Sequence, residues 1–113
     1  MILRWDKFMA VISWVARFEV WGITLWPVII CRTDMGKIGI DHEKIHLRQQ
    51  KELFVLGFYL LYAGFYVYLR IKDKQDHEET YRNLPFEKEA YENQAETEKY
   101  LSARKWCAWR NYI

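Results

Sequence analysis

The chain has 113 residues, with 17 Lys and Arg against 15 Asp and Glu and a formal net charge of +2. That length suits one small domain with a modest core, and so weak a charge, with no dense basic run, excludes a nucleic-acid binder. Aromatic residues reach 18%, with six Trp, eight Tyr and six Phe, a content that either fills a core or sits in a membrane interface.

Residues 4–19 fit an amphipathic helix, with Trp5, Phe8, Met9, Ile12 and Val15 at helical spacing and Arg4, Asp6 and Lys7 at its polar start. Arg17 and Glu19 interrupt the apolar N-terminal stretch and no small-residue cleavage site follows, so no cleaved signal peptide is expected. Residues 20–31, VWGITLWPVIIC, are apolar and β-branched. One reading is an extended edge segment, where Pro27 is tolerated. The other is a membrane-inserted helix starting near Phe8, which would bury Arg17 and Glu19. Cys31 and Cys107 lie far apart and form no C-x-x-C pair, so they read as free thiols.

A helix is expected next, starting either after Thr33 or Asp34 as N-cap or at Asp41. Met35, Ile38, His42, Ile45 and His46 share its face. It runs on into residues 53–69, LFVLGFYLLYAGFYVYL, which carry no charge. About 17 such residues sit at the lower limit for a bilayer span, and the alternative is a helix buried in a soluble oligomer. The polar residues 72–84 read as a loop. Pro85 suits the first turn of a helix over 85–105, acidic early and basic late. Trp106, Trp109 and Tyr112, with Arg104, Lys105 and Arg110, make an aromatic and basic end that either anchors at headgroups or packs on the chain. The fold class is therefore mainly α, a small helical domain with a short β edge segment and one hydrophobic helix of transmembrane type. A single domain spans 1–113.

Residues 42–46 read His-Glu-Lys-Ile-His. In a helix, His42 and His46 project from one face and offer two imidazole nitrogens to one metal ion. Glu43 lies too far round to ligate equally well, yet it reaches a water and can take its proton, which is why H-E-x-x-H serves metal-assisted hydrolysis. A third ligand is then required. His77 stands in the polar segment at an unusual spacing. Among Glu87, Glu89 and Glu92, Glu87 shares a face with Ala90, Tyr91 and Gln94, and the small alanine lets the helix come close. Glu89 and Glu92 group with Glu96 as a solvated acidic stripe. These considerations favour Glu87.

The pair HEKIH and EKEAY resembles the gluzincin clan of zinc peptidases, whose third ligand is a glutamate on a later helix. The nearest shapes are the minigluzincins and the membrane-bound peptidases that cleave prenylated or misfolded membrane proteins, in which a hydrophobic hairpin separates the two zinc-binding helices. From Gly22 onward the chain also resembles a group of small, uncharacterised bacterial proteins. The resemblance implies a zincin-like domain that binds Zn through His42, His46 and Glu87, with Glu43 as general base and acid. It implies a substrate strand laid beside residues 22–31, interrupted by the donor that Pro27 lacks. The pattern departs at Tyr91, where gluzincins usually carry an aspartate that orients the first histidine. Tyr91 can exchange one hydrogen bond with it or contact the oxyanion. Tyr81, Arg82 and Tyr100 read either as oxyanion stabilisers or as structural residues.

The expected function is a membrane-associated zinc metallopeptidase in a bacterial inner or cytoplasmic membrane. Its partners would be a peptide or membrane-protein substrate and membrane lipid. Two rivals stand beside it. One is a non-catalytic zinc-binding membrane protein acting as a sensor or assembly partner. The other is a structural membrane protein whose histidines face solvent.

Overall fold

The computed structural model describes residues 2–16 and 20–113. The chain is mainly helical around a small sheet. In order come β1 (Ile2–Arg4), α1 (Asp6–Ala16), β2 (Gly22–Leu25), β3 (Val28–Cys31), α2 (Lys37–Glu52), α3 (Leu56–Lys72), α4 (His77–Asn83), α5 (Pro85–Asn93) and α6 (Thr97–Ala103), with short 3-10 turns at Gln94–Glu96 and Ala108–Tyr112.

The apolar stretch 20–31 folds as a hairpin, not as one extended segment or a membrane helix. β2 and β3 pair antiparallel from Gly22↔Cys31 to Leu25↔Val28, and β1 joins β3 in parallel. Strand order is β1-β3-β2, so β2 is an outer strand. Pro27 occupies the hairpin turn, after a cis peptide bond. It therefore removes no donor from β2, and the expected interruption of the edge disappears. The helix expected over 4–19 is α1, which begins at Asp6 because residues 2–4 are taken by β1. Its end, at Arg17 and Glu19, lies outside the described residues.

α2 begins at Lys37 after Gly36, which makes no side-chain cap, so neither Thr33, Asp34 nor Asp41 starts it. Met35 lies wedged between β2 and α2. A Cβ on Gly22 would come within 2.9 Å of its Sδ and one on Gly39 within 2.6 Å of its Cε, so a side chain at either position would displace the Met35 thioether.

The helix expected to run unbroken through 35–71 is broken. α2 and α3 meet at 109°, and no single helix among the described residues is long and apolar enough to cross a membrane. Phe54 and Val55 both take φ of 57°, and the Leu56 N–H donates to the Phe54 carbonyl at 2.5 Å, which closes a three-residue turn about Val55. The polar segment 72–84 is also more ordered than expected. Asp76 caps α4 by accepting from the Glu79 N–H at 2.8 Å. Pro85 does open a helix, but 85–105 is divided into α5, the 3-10 turn and α6.

Phe58 of α3, Phe86 of α5 and Trp109 form the core cluster beside α2. Phe86 stands 4.7 Å from Phe58 and 4.9 Å from Trp109, centroid to centroid. Trp109 is thus packed inward while Trp106 stays exposed, so the aromatic end packs on the chain only in part.

Candidate metal centre

α2 carries His42, Glu43 and His46 on its buried face, and α5 crosses it with Glu87 in its first turn. Ala90 is fully buried, as close helix approach requires. His42 Nε2 lies 3.0 Å from Glu87 Oε1, His46 Nε2 lies 3.2 Å from the same oxygen, and the two Nε2 atoms are 3.2 Å apart. All three side chains are buried.

The histidine tautomers follow from the other ring nitrogens. His42 Nδ1 is 2.9 Å from Gln94 Oε1, and His46 Nδ1 is 2.7 Å from Gln49 Oε1. Gln49 has its amide NH2 bound to the Phe86 carbonyl and to Glu89, so its Oε1 is fixed as the acceptor and His46 Nδ1 must donate. With the same tautomer on His42, both Nε2 lone pairs would face the Glu87 carboxylate, three acceptors with no donor among them. A cation relieves that arrangement.

A proton is one such cation. Burial disfavours charge on His46, but the Glu87 carboxylate more than offsets it and the imidazole is raised to about 9. Burial likewise opposes charge on Glu87, while His46 and His42 hold its carboxyl well below the usual range. A divalent metal is the other. Ligand atoms roughly 3.3 Å apart are what a tetrahedral ion with bonds of about 2.0–2.1 Å requires, and the observed triangle is close to that size. Two neutral imidazoles and a carboxylate fit such an ion, but they do not by themselves identify zinc.

The supports extend away from the ligands. Tyr62 of α3 donates to Glu87 Oε2 at 2.9 Å. Glu89 is fully buried and not part of a solvated stripe, because Arg104 folds back onto it at 2.5 Å and also binds Glu52 at 2.6 and 3.0 Å. Tyr100 also donates to Glu89, so it lies away from the cleft. Glu92 and Glu96 are exposed, as expected of them. The buried Thr97 hydroxyl sits 3.2 Å from the carbonyls of Asp41 and Gln94 and so ties the turn bearing Gln94 to α2.

Tyr91 does not take the aspartate's role on His42. Its ring packs edge-on against the His42 ring at 4.5 Å, and the Arg82 guanidinium lies over the Tyr91 ring, 5.0 Å from its centroid. Gln94 supplies the Nδ1 contact instead. Sequence reasoning placed Gln94 on the Glu87 face but gave it no role; Gln49, Tyr62 and Thr24 had no signal beyond their polarity.

The ligands open into a cleft of about 900 Å³. Its walls include β2, Ile12 of α1, Tyr59 of α3 and, on the far side, Tyr81, Arg82 and Tyr91. Glu43 lines it too, with Oε2 accepting from Thr24 Oγ1 at 2.6 Å. The Thr24 carbonyl is already bound by Gln50 Nε2 at 2.7 Å and by Tyr59 Oη at 2.5 Å. The outer edge of β2 is therefore already occupied at Thr24. Comparison of the chain with protein-family models, curated proteins and solved structures gives no match, so the geometry alone speaks for the site.

Proposed function

We propose that the protein is a membrane-associated zinc metallopeptidase of gluzincin type. The observation that carries this reading is the buried triangle of His42 Nε2, His46 Nε2 and Glu87 Oε1, whose two imidazoles are each held at Nδ1 by a glutamine. When bound, zinc supplies Lewis acidity that makes water acidic enough to lose a proton near neutral pH. Glu43, beside His42 and lining the cleft, takes that proton as the water oxygen attacks the peptide carbonyl carbon. It then delivers the proton to the amine nitrogen as the C–N bond breaks. Thr24 orients the Glu43 carboxylate through Oε2. The mostly apolar cleft suits hydrophobic stretches of a peptide or membrane protein.

Metal analysis of the purified full chain tests the site. Wild type and Glu92→Ala should retain about one zinc per chain, while His46→Ala and Glu87→Ala lose it. Glu43→Gln should retain zinc and lose turnover of apolar fluorogenic peptides. Wild type that takes up no zinc removes the proposal. Zinc-loaded wild type with no turnover leaves the rival reading, a zinc-binding sensor or assembly partner.

A further inference from the structure

We propose that the protein docks in the plane of an anionic lipid bilayer surface, through the outer face of α3 and the corner where α3 leaves α2. The proposal gives a mode to the membrane association above and rests on that part of the reading, not on the metal.

α3 has two faces. Phe58 and Tyr62 point inward, to Phe86 and Glu87. Leu56, Leu60, Val67 and Ile71 form the outer row at helical spacing, 52–73% exposed, with Ala63 and Gly64 between them. No polar group interrupts that row. A face this long and uniformly apolar marks an interaction surface.

The corner extends it. Phe54 is 88% exposed there. The Trp26 N–H donates to Gln50 at 2.7 Å, which sets the hairpin tip beside the corner, and the Cys107 N–H donates to Glu52 at 2.6 Å, which brings Trp106 to it. Both tryptophans are exposed, as are five of the six in the chain. Tryptophan gains most where one part of its ring is apolar and the other wet, which is the headgroup layer.

Charge selects the occupant. The face ends in Lys51 on one side and in Arg70 and Lys72 on the other, and α3 itself holds no acidic residue. Arg70 and Lys72 lie over the rings of Tyr66 and Tyr68 at 5.8 and 5.1 Å. Asp73 caps the second end, but with Arg70, Lys72 and Lys74 around it that end stays net positive, so a second copy meets mostly like charge while anionic headgroups complement both ends. The in-plane arrangement follows from length and commitment. The 17 residues of α3 reach about 26 Å, short of a hydrocarbon core of about 30 Å. Its inner face is also spent on the metal centre. Docked this way, α3 holds the cleft about one helix diameter, roughly 10 Å, from lipid.

The test uses the full zinc-loaded chain and sealed vesicles of phosphatidylcholine with phosphatidylglycerol, against phosphatidylcholine alone. Wild type should float with the anionic vesicles. The double variant Leu60→Gln, Val67→Gln, altered only at exposed positions, should keep its zinc and bind about tenfold less. His46→Ala should float as wild type does, which separates this proposal from the metal reading. In a Cys107→Ser background, Lys51→Cys and Lys74→Cys should both react with an impermeant maleimide added outside the vesicles. The proposal is overturned by wild type that stays in solution, by undiminished flotation of the double variant, by labelling at one site only, or by a lipid-free dimer that the double variant dissolves.

Discussion

Two glutamines decide the protonation pattern of the candidate centre. A glutamine carbonyl is a neutral acceptor, so it fixes ring orientation while adding less basicity to the imidazole than a carboxylate would. Gln94→Ala frees the His42 ring and leaves its tautomer undetermined. Zinc affinity, measured by competition with a chromophoric chelator, should fall about 10–100-fold. Tyr91→Phe should leave that affinity unchanged within a few-fold, because the Tyr91 contact with His42 is made by the ring. A large loss in Tyr91→Phe would contradict this assignment. His42, His46 and Glu87 were legible in the sequence because helical spacing alone brings the first two together and the third needs only a close crossing. Gln94 and Glu89 were not. What each does depends on a partner far away in sequence, His42 for one and Arg104 for the other, and no periodicity encodes such pairs.

At the scale of elements, the break at Phe54 and Val55 divides one expected helix into two that meet at 109°. Neither Gly nor Pro stands there, so composition predicts continuity. The bend is instead held by tertiary ties on both sides, from Cys107 to Glu52 and from Tyr59 and Gln50 to Thr24. A non-glycine residue at positive φ costs about 1–2 kcal/mol. Phe54 is so exposed that it returns little of this as burial. Phe54→Gly relieves this strain but adds freedom to the unfolded chain worth about 0.4–1 kcal/mol, so stability in urea unfolding should change by less than about 1 kcal/mol while vesicle binding weakens. A loss well beyond that would show that the Phe54 ring has a folded-state contact that its exposure hides. The hairpin was half legible: the β-branched run marked extended chain, but the turn at Trp26–Pro27 depends on pairing that only the assembled sheet supplies.

For the molecule as a whole, much of the interior is polar. Glu52, Glu87, Glu89, Gln49 and both motif histidines are buried along with a small aromatic cluster. Such an interior is stable only while its charges are matched. In metal-stripped protein the His46 pKa is about 9, against 6.5 for the unfolded chain. Below pH 6.5 both states hold the proton and the pair with Glu87 contributes fully. As pH rises through 9 the folded state loses the proton and with it that contribution. Thermal midpoints after chelation should thus fall between pH 6.5 and 9, while zinc-loaded protein, which needs the neutral ring, should show no such fall. A chelated protein gaining stability across that interval would place the proton elsewhere. The mainly α class was readable from periodicity alone. The burial of so many carboxylates was not, since Arg104 matches two of them only after the chain has turned back.

Met35, wedged between Gly22 and Gly39, also makes the site sensitive to oxidants. Its thioether lies against Gly22 and Gly39 at the cleft wall, so a sulfoxide oxygen there sets a polar group between β2 and α2. Peroxide that oxidises Met35 would push β2 off α2 and part Thr24 from Glu43, silencing the base while leaving the three metal ligands in place. Treated protein should keep its zinc and lose turnover, with mass spectrometry locating the added oxygen. Met35→Leu, close in volume and inert to peroxide, should be spared.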